Sequence, residues 1–245
     1  MQTALTIAGF DPSSGAGITA DLMVFAAHGL FGTSAITGLT VQSTIGVRAI
    51  KPVDAETLRA TLDFLHSDLP PAGIKIGMLA AAPIVEVVAD YLEKVRKFFP
   101  AIPVVLDPVI RSSSGRQLLD SSGVALLRER LLPLVTWLTP NLDELRLLSN
   151  FPVVTRDDLE PGARYLQQTF PELGVIATGG HLDPPDDLAV LCSGQIEWLT
   201  GKRVEGRSTH GTGCAFSSAL LSRLVLGDGP VDAARSAKQY VAEAY

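Results

Sequence analysis

Leu5-Thr6-Ile7-Ala8-Gly9-Phe10-Asp11-Pro12-Ser13-Ser14-Gly15-Ala16-Gly17-Ile18-Thr19-Ala20-Asp21-Leu22 stands near the start of the chain and decides its class. Residues 4–8 form a short apolar run of strand type. The run breaks into a glycine- and serine-rich loop, and helical sequence follows over about 18–28. Strand, glycine loop and helix in that order place a ligand site at the carboxyl end of a strand. The glycine spacing is not that of the dinucleotide fingerprint, and no Gly-Lys-Ser/Thr follows to make a P-loop. Taken alone, the glycines equally serve to turn the backbone.

Outward from this unit the same rhythm repeats. Residues 33–41 alternate β-branched and small side chains, and 54–66 are helical in pattern with Asp54 as N-cap. Residues 73–79 form another short apolar strand. Residues 83–99 form a long amphipathic helix with Pro83 in its first turn, where a missing N–H costs nothing. A strand at 104–106, a helix over 121–132 and a strand over 135–139 come next. A helix then begins near Asn141, another spans Asp157 or Asp158 to Thr169, and a strand covers 174–178. Residues 188–192 and 195–199, split by Ser193-Gly194, read as a hairpin. A final helix covers about 230–245. The alternation predicts an α/β fold with a central, mostly parallel β-sheet and helices on both faces. No repeat or linker divides the 245 residues, so one domain over 1–245 is expected.

Composition narrows the function. The chain is 47% hydrophobic and 19% charged, which suits a folded domain, and its net charge is −6. That balance argues against a nucleic-acid or anionic-membrane partner, since both need a basic face. The two cysteines, Cys192 and Cys214, lack metal-type spacing and suit a reducing compartment. Residues 1–10 lack a basic segment followed by a long apolar run, so no signal peptide is expected. No apolar run approaches the ~20 residues of a spanning helix. A soluble, cytoplasmic protein is the expectation.

The second chemical signal is Ser208-Thr209-His210-Gly211-Thr212-Gly213-Cys214-Ala215-Phe216, which leads into a packed helix. A helix opening on Gly-Thr-Gly presents unpaired N–H groups and a positive dipole end to an anion. Cys214 would lie in its first turn, where a lowered pKa makes a thiolate base credible. A plain turn with a small buried cysteine fits the same letters. Gln42, at the end of the 33–41 strand, carries an amide that donates and accepts at once, which suits a heterocycle edge. Lys75 sits inside an apolar strand, so it is either paired or aimed into a polar cleft. Asp107 closes the 104–106 strand before Pro108 and a Ser/Gly loop, a common site placement. Asn141 and Glu144 lie on one helix face at i, i+3, although a capping box alone accounts for them.

Together with Gln42-Ser43-Thr44, Lys75-Ile76-Gly77-Met78-Leu79, Leu106-Asp107-Pro108-Val109, Thr139-Pro140-Asn141-Leu142-Asp143-Glu144 and Gly179-Gly180-His181, these stretches resemble the hydroxymethylpyrimidine/phosphomethylpyrimidine kinases of thiamine biosynthesis. Those enzymes have the ribokinase-like fold. The likeness runs along nearly the whole chain; the first loop and His-Gly-Thr-Gly-Cys are specific to that branch. The resemblance implies ATP- and Mg²⁺-dependent phosphorylation of 4-amino-5-hydroxymethyl-2-methylpyrimidine and then of its monophosphate. It assigns Gln42, Gly9, Met78 and Asp21 to the pyrimidine, and Gly211, Thr212, Gly213 and Cys214 to catalysis at an anion hole. Asp107, Asn141, Thr178 and Gly180 fall to the nucleotide, and Glu144 with Asp107 to the magnesium ion. A homodimer is implied as well.

Two departures stand out. The family usually has lysine just before Gly-Gly-His, and here that position is Thr178. A glycine-rich tail is also usual beyond the last helix, and the sequence ends at Tyr245. Pyridoxal kinases of the same fold, some with Gly-Thr-Gly-Cys, are the nearest rival, and a non-catalytic pyrimidine-binding module is a rival of another class. Gln42 and Met78 favour the pyrimidine, whereas Asp107, Glu144 and Cys214 favour catalysis.

Overall fold

A computed structural model describes residues 1–245 except 44, 113, 181, 202–209 and 245. Thr44, His181, Ser208, Thr209 and Tyr245, all used in the sequence reading, therefore lie outside the described residues. Strand β1 (Thr3–Phe10) lies inside the sheet, with every residue from Ala4 to Gly9 buried. It pairs in parallel with β2 (Phe31–Ser43) on one side and β4 (Gly73–Ile76) on the other. Parallel pairing continues through β5 (Val104–Leu106), β6 (Trp137–Leu138) and β7 (Gly174–Ala177). Antiparallel strands close both edges. One is β3 (Gly46–Pro52) on β2; at the other edge β8 (Asp187–Val190) and β9 (Ile196–Leu199) follow β7. The order is β3-β2-β1-β4-β5-β6-β7-β8-β9.

Helices cover both faces, as continuous apolar strands require. One core packs α2 (Ala55–Asp68), α3 (Ala82–Phe98), α5 (Leu142–Ser149) and α6 (Leu159–Thr169) onto the sheet. The other holds α1 (Gly17–Ala27), α7 (Thr212–Val225) and α8 (Pro230–Ala244). Helix α7 is buried along Ala215–Ser222 because α1 and α8 flank it, which explains its unbroken run of small and apolar residues. Among the described residues, no helix is long and apolar enough to cross a membrane.

Three local features differ from the periodicity reading. Residues 46–52, which carry no clear pattern, form β3, an edge strand bounded by Gly46 and Pro52 with Arg48 and Lys51 exposed. Charge and proline on an edge discourage a further strand from pairing there. The helix expected over 121–132 is α4 (Ser121–Leu126), which widens at Leu127–Leu131 and tightens at Leu132–Leu134 around Pro133. The strand expected over 135–139 shrinks to Trp137–Leu138, since Pro140 has no N–H for a ladder.

Candidate active site

The carboxyl ends of the parallel strands open into one cavity of about 1310 Å³. Gly9, Gln42, Met78, Asp107, Asn141, Glu144, Thr178, Gly180 and Gly211 to Cys214 all line it. Stretches more than 200 residues apart in the chain thus meet in one place, because each follows a strand ending on the same side of the sheet.

At the centre is the start of α7. Gly211 holds φ of 84°, the left-handed region that favours glycine, and this turns the chain abruptly into the helix. The first turn of α7, with the positive end of its dipole, borders the cavity through Gly211 to Cys214. Asp107, at the end of β5, lies opposite: a Cβ built on Gly213 would stand 3.7 Å from Asp107 Oδ2. The Ser217 hydroxyl donates to the same oxygen at 3.5 Å. Burial pushes Asp107 above the usual carboxylate range, with Lys75 opposing and Asp21 adding to the shift.

Glu144 is fixed by a reciprocal cap. The Asn141 N–H donates to Glu144 Oε2 at 3.0 Å, the Glu144 N–H donates to Asn141 Oδ1 at 3.0 Å, and the Ile110 N–H donates to Oε1 at 3.2 Å. The capping box is therefore real, and it also aims a carboxylate at the cavity. Burial nevertheless raises its pKa to about 8, Asp107 adding to the effect. Two buried carboxylates that each disfavour ionisation of the other suit a divalent cation. Among the described residues no group of three or more His, Cys, Asp or Glu side chains forms a metal cage. Magnesium, which keeps several waters, needs none.

One end of the cavity is built by His210, to which the sequence reading gave no role. Its Nε2 lies 3.0 Å from Asp11 Oδ2 and 3.1 Å from Gln42 Nε2. Asp11 also accepts from the Ser13 N–H at 2.9 Å, the Ser13 hydroxyl at 2.7 Å and the Ala16 N–H at 3.0 Å. Burial opposes its ionisation, but His210 and Ser13 outweigh that and hold its pKa below the ordinary value. One histidine so joins the β1–α1 loop, the end of β2 and the turn that opens α7. The signal was its place directly before Gly-Thr-Gly. Gly9 leaves room for a neighbour: a Cβ there would stand 2.2 Å from Met78 Cε. Gly17 carries φ of +62°, and a Cβ would stand 2.2 Å from the Gly9 carbonyl oxygen.

Two expectations are corrected. Asp21, expected at the pyrimidine, does not line the cavity; it is fully buried, accepting from Lys75 Nζ at 2.9 and 3.0 Å, from Thr6 at 2.6 Å and from Ser218 at 2.8 Å. Its place in the first turns of α1 points it into the space between α1, α7 and the sheet. The surroundings of Cys214 also work against the expected thiolate. Burial pushes its pKa up to about 12, overriding the pull of Lys75, with Asp107 and Asp21 adding to the rise. The open choice for Lys75 is also settled: it is paired. Burial alone would depress it, but Asp21 holds it above the usual lysine range, so it does not stand in for the lysine that Thr178 replaces. Thr178 lies on the wall, its hydroxyl donating to the Pro140 carbonyl at 3.4 Å.

The model of the phosphomethylpyrimidine kinase family matches residues 11–245. The chain is 39% identical to the hydroxymethylpyrimidine/phosphomethylpyrimidine kinase of Haemophilus influenzae, over 100% of this chain and 91% of that protein. It is 40% identical to the Escherichia coli protein of the same name, over 98% and 90%. A crystal structure of phosphomethylpyrimidine kinase from Clostridium difficile superposes with a TM-score of 0.86 at 33% identity, covering 100% of this chain and 99% of that one. An ADP complex of Bacillus subtilis pyridoxal kinase gives a TM-score of 0.86 at 31% identity, over 98% and 90%.

Proposed function

The chain belongs to the phosphomethylpyrimidine kinase family, and from that premise we propose that it phosphorylates 4-amino-5-hydroxymethyl-2-methylpyrimidine and then the monophosphate, serving thiamine biosynthesis. One observation carries this reading. The N-terminal turn of α7, the Asp107/Glu144 wall and the Gln42–His210 corner all border one cavity. ATP supplies the phosphoryl group, and Mg²⁺ neutralises its charge, when both are bound.

The chain's own residues position and shield. Gln42 reads the pyrimidine edge, held at its working angle by His210, which Asp11 braces in turn. Gly9 and Met78 set the floor of that pocket. The N–H groups of Gly211 to Cys214 receive the equatorial oxygens of the moving phosphoryl group, where charge develops. Asp107 and Glu144 are the carboxylates that would hold a magnesium ion, which prefers oxygen ligands and keeps several waters. Asn141, Thr178 and Gly180 support the nucleotide side, where Thr178 offers a hydroxyl in place of a cation. Cys214 enters as a neutral thiol that favours ionised Asp107. A loose transition state asks little of a base, and a monophosphate acceptor has no proton to remove from its attacking oxygen.

A coupled ADP-release assay with the alcohol, the monophosphate and pyridoxal, with and without Mg²⁺, tests this. Both pyrimidines should turn over, only with Mg²⁺, and pyridoxal should be much the poorest. Preference for pyridoxal, with an absorbance change lost in Cys214→Ala, would favour the pyridoxal kinase. Pyrimidine binding without turnover of any of the three would leave a binding module. A cytoplasmic homodimer completes the proposal, and sedimentation at micromolar concentration tests the dimer.

A further inference from the structure

The acceptor end carries positive charge that the alcohol cannot use. Arg111 and Ser112 pair back onto Arg116 and Gln117: Arg111 bridges Gln117, the Ser112 N–H donates to the Arg116 carbonyl at 2.8 Å, and the Arg116 N–H donates to Ser112 Oγ at 3.0 Å. This loop lies against the β2–β3 turn, where a Cβ built on Gly46 would stand 3.2 Å from Ser114 Oγ. Arg48 and Arg116 line the groove between loop and turn, and Arg111 stands on the adjoining cavity wall.

None of these three exposed guanidiniums makes a hydrogen bond or ion pair with a described residue. The remaining lysines and arginines described on the cavity wall are all neutralised. Lys75 pairs with Asp21, Lys238 with Asp187 at 2.7 Å, and Arg235 with Glu197 and Asp232 at 2.9 and 3.0 Å. Among the described residues of the cavity wall and its groove, unspent positive charge thus gathers at one rim. An uncharged pyrimidine alcohol gives these groups nothing to bind. A phosphomonoester carries a charge of about −1.5 to −2 at neutral pH, and the planar guanidinium fork takes two of its oxygens at once. Arg111 also follows Ile110, whose N–H holds Glu144, so its side chain departs one residue from the carboxylate assigned to the metal.

We propose that Arg111, with Arg48 and Arg116 at the rim, binds the phosphate already present on the acceptor and selects the monophosphate for the second transfer. The inference rests on the functional reading above and names the residues that tell its two acceptors apart. Arg111→Ala should lower kcat/KM for the monophosphate about tenfold or more, the size of one charge-assisted contact. The alcohol should change by less than about twofold, and Arg111→Lys should recover part of the loss. In the wild-type chain, added salt should weaken turnover of the monophosphate more than that of the alcohol. Arg48→Ala/Arg116→Ala should flatten that difference. If Arg111→Ala lowers both acceptors equally, or neither, this inference falls while the functional reading stands. If the wild-type chain phosphorylates neither pyrimidine, both fall together.

Discussion

Cys214 shows two environmental effects competing on one atom. A helix N-terminus lowers a thiol's pKa by offering positive potential. Burial raises it by withdrawing water from the charged form, and two nearby carboxylates raise it further. Here burial wins, and the thiol reaches about 12. At pH 8 such a thiol stays almost entirely protonated. Cys214→Ser, which keeps a small hydrogen-bonding group in place, should therefore retain turnover within about tenfold of wild type, since no thiolate is being removed. Mass spectrometry after brief iodoacetamide treatment at pH 8 should find Cys214 essentially unmodified. A thousandfold loss in the serine variant, with rapid alkylation, would return the cysteine to the role of base.

The next scale up is the element, and α7 is the one on which the site turns. Its charge preference comes from backbone donors, so it is testable by placing an anion there. In Gly213→Asp the new side chain starts 3.7 Å from Asp107 Oδ2, so its carboxylate meets both Asp107 and the anion meant for the N–H groups. ADP release should fall more than about a hundredfold, as expected for loss of an oxyanion-type site. Calorimetric binding of the pyrimidine, which uses Gln42 and Met78, should persist; unchanged turnover would remove the anion hole from the mechanism.

Much of this element scale was legible from sequence, for a physical reason. Glycine loops after apolar strands mark the carboxyl ends where parallel strands place ligands, so Gly9, Asp107, Asn141 and Gly211 were found by position. What stayed hidden depends on partners far along the chain. Strand β3 exists only because β2 offers an edge, and its own alternation is interrupted by Arg48 and Lys51. Asp21 looked like a site residue because it shares a segment with Gly9. Only the packing of α1 against α7 shows that it faces inward. His210 became important through contacts with Asp11 and Gln42, 199 and 168 residues away.

For the whole molecule, that misplaced aspartate is the structural key. Asp21 of α1, Lys75 of β4, Thr6 of β1 and Ser218 of α7 form one buried polar cluster. It pins two helices of one layer to the middle of the sheet, directly beneath the site. Lys75 also opposes the upward shifts of Asp107 and Cys214, so fold and chemistry share one charge. Removing one member strands the other in a dry interior, which typically costs about 3–5 kcal/mol, whereas replacing a buried pair together by apolar groups is often neutral. Lys75→Met should accordingly shift the urea midpoint far downward, and Asp21→Leu/Lys75→Met should recover most of that stability. The double variant separates the two roles. If Lys75 only holds the layers together, the refolded double variant should also recover turnover. Because Lys75 also favours the ionised form of Asp107, the double variant should fold well yet remain slow, with its magnesium requirement displaced to higher concentration. Midpoints from urea unfolding, read beside the Mg²⁺ dependence of ADP release, decide between these outcomes. Full recovery of both would confine the lysine to packing.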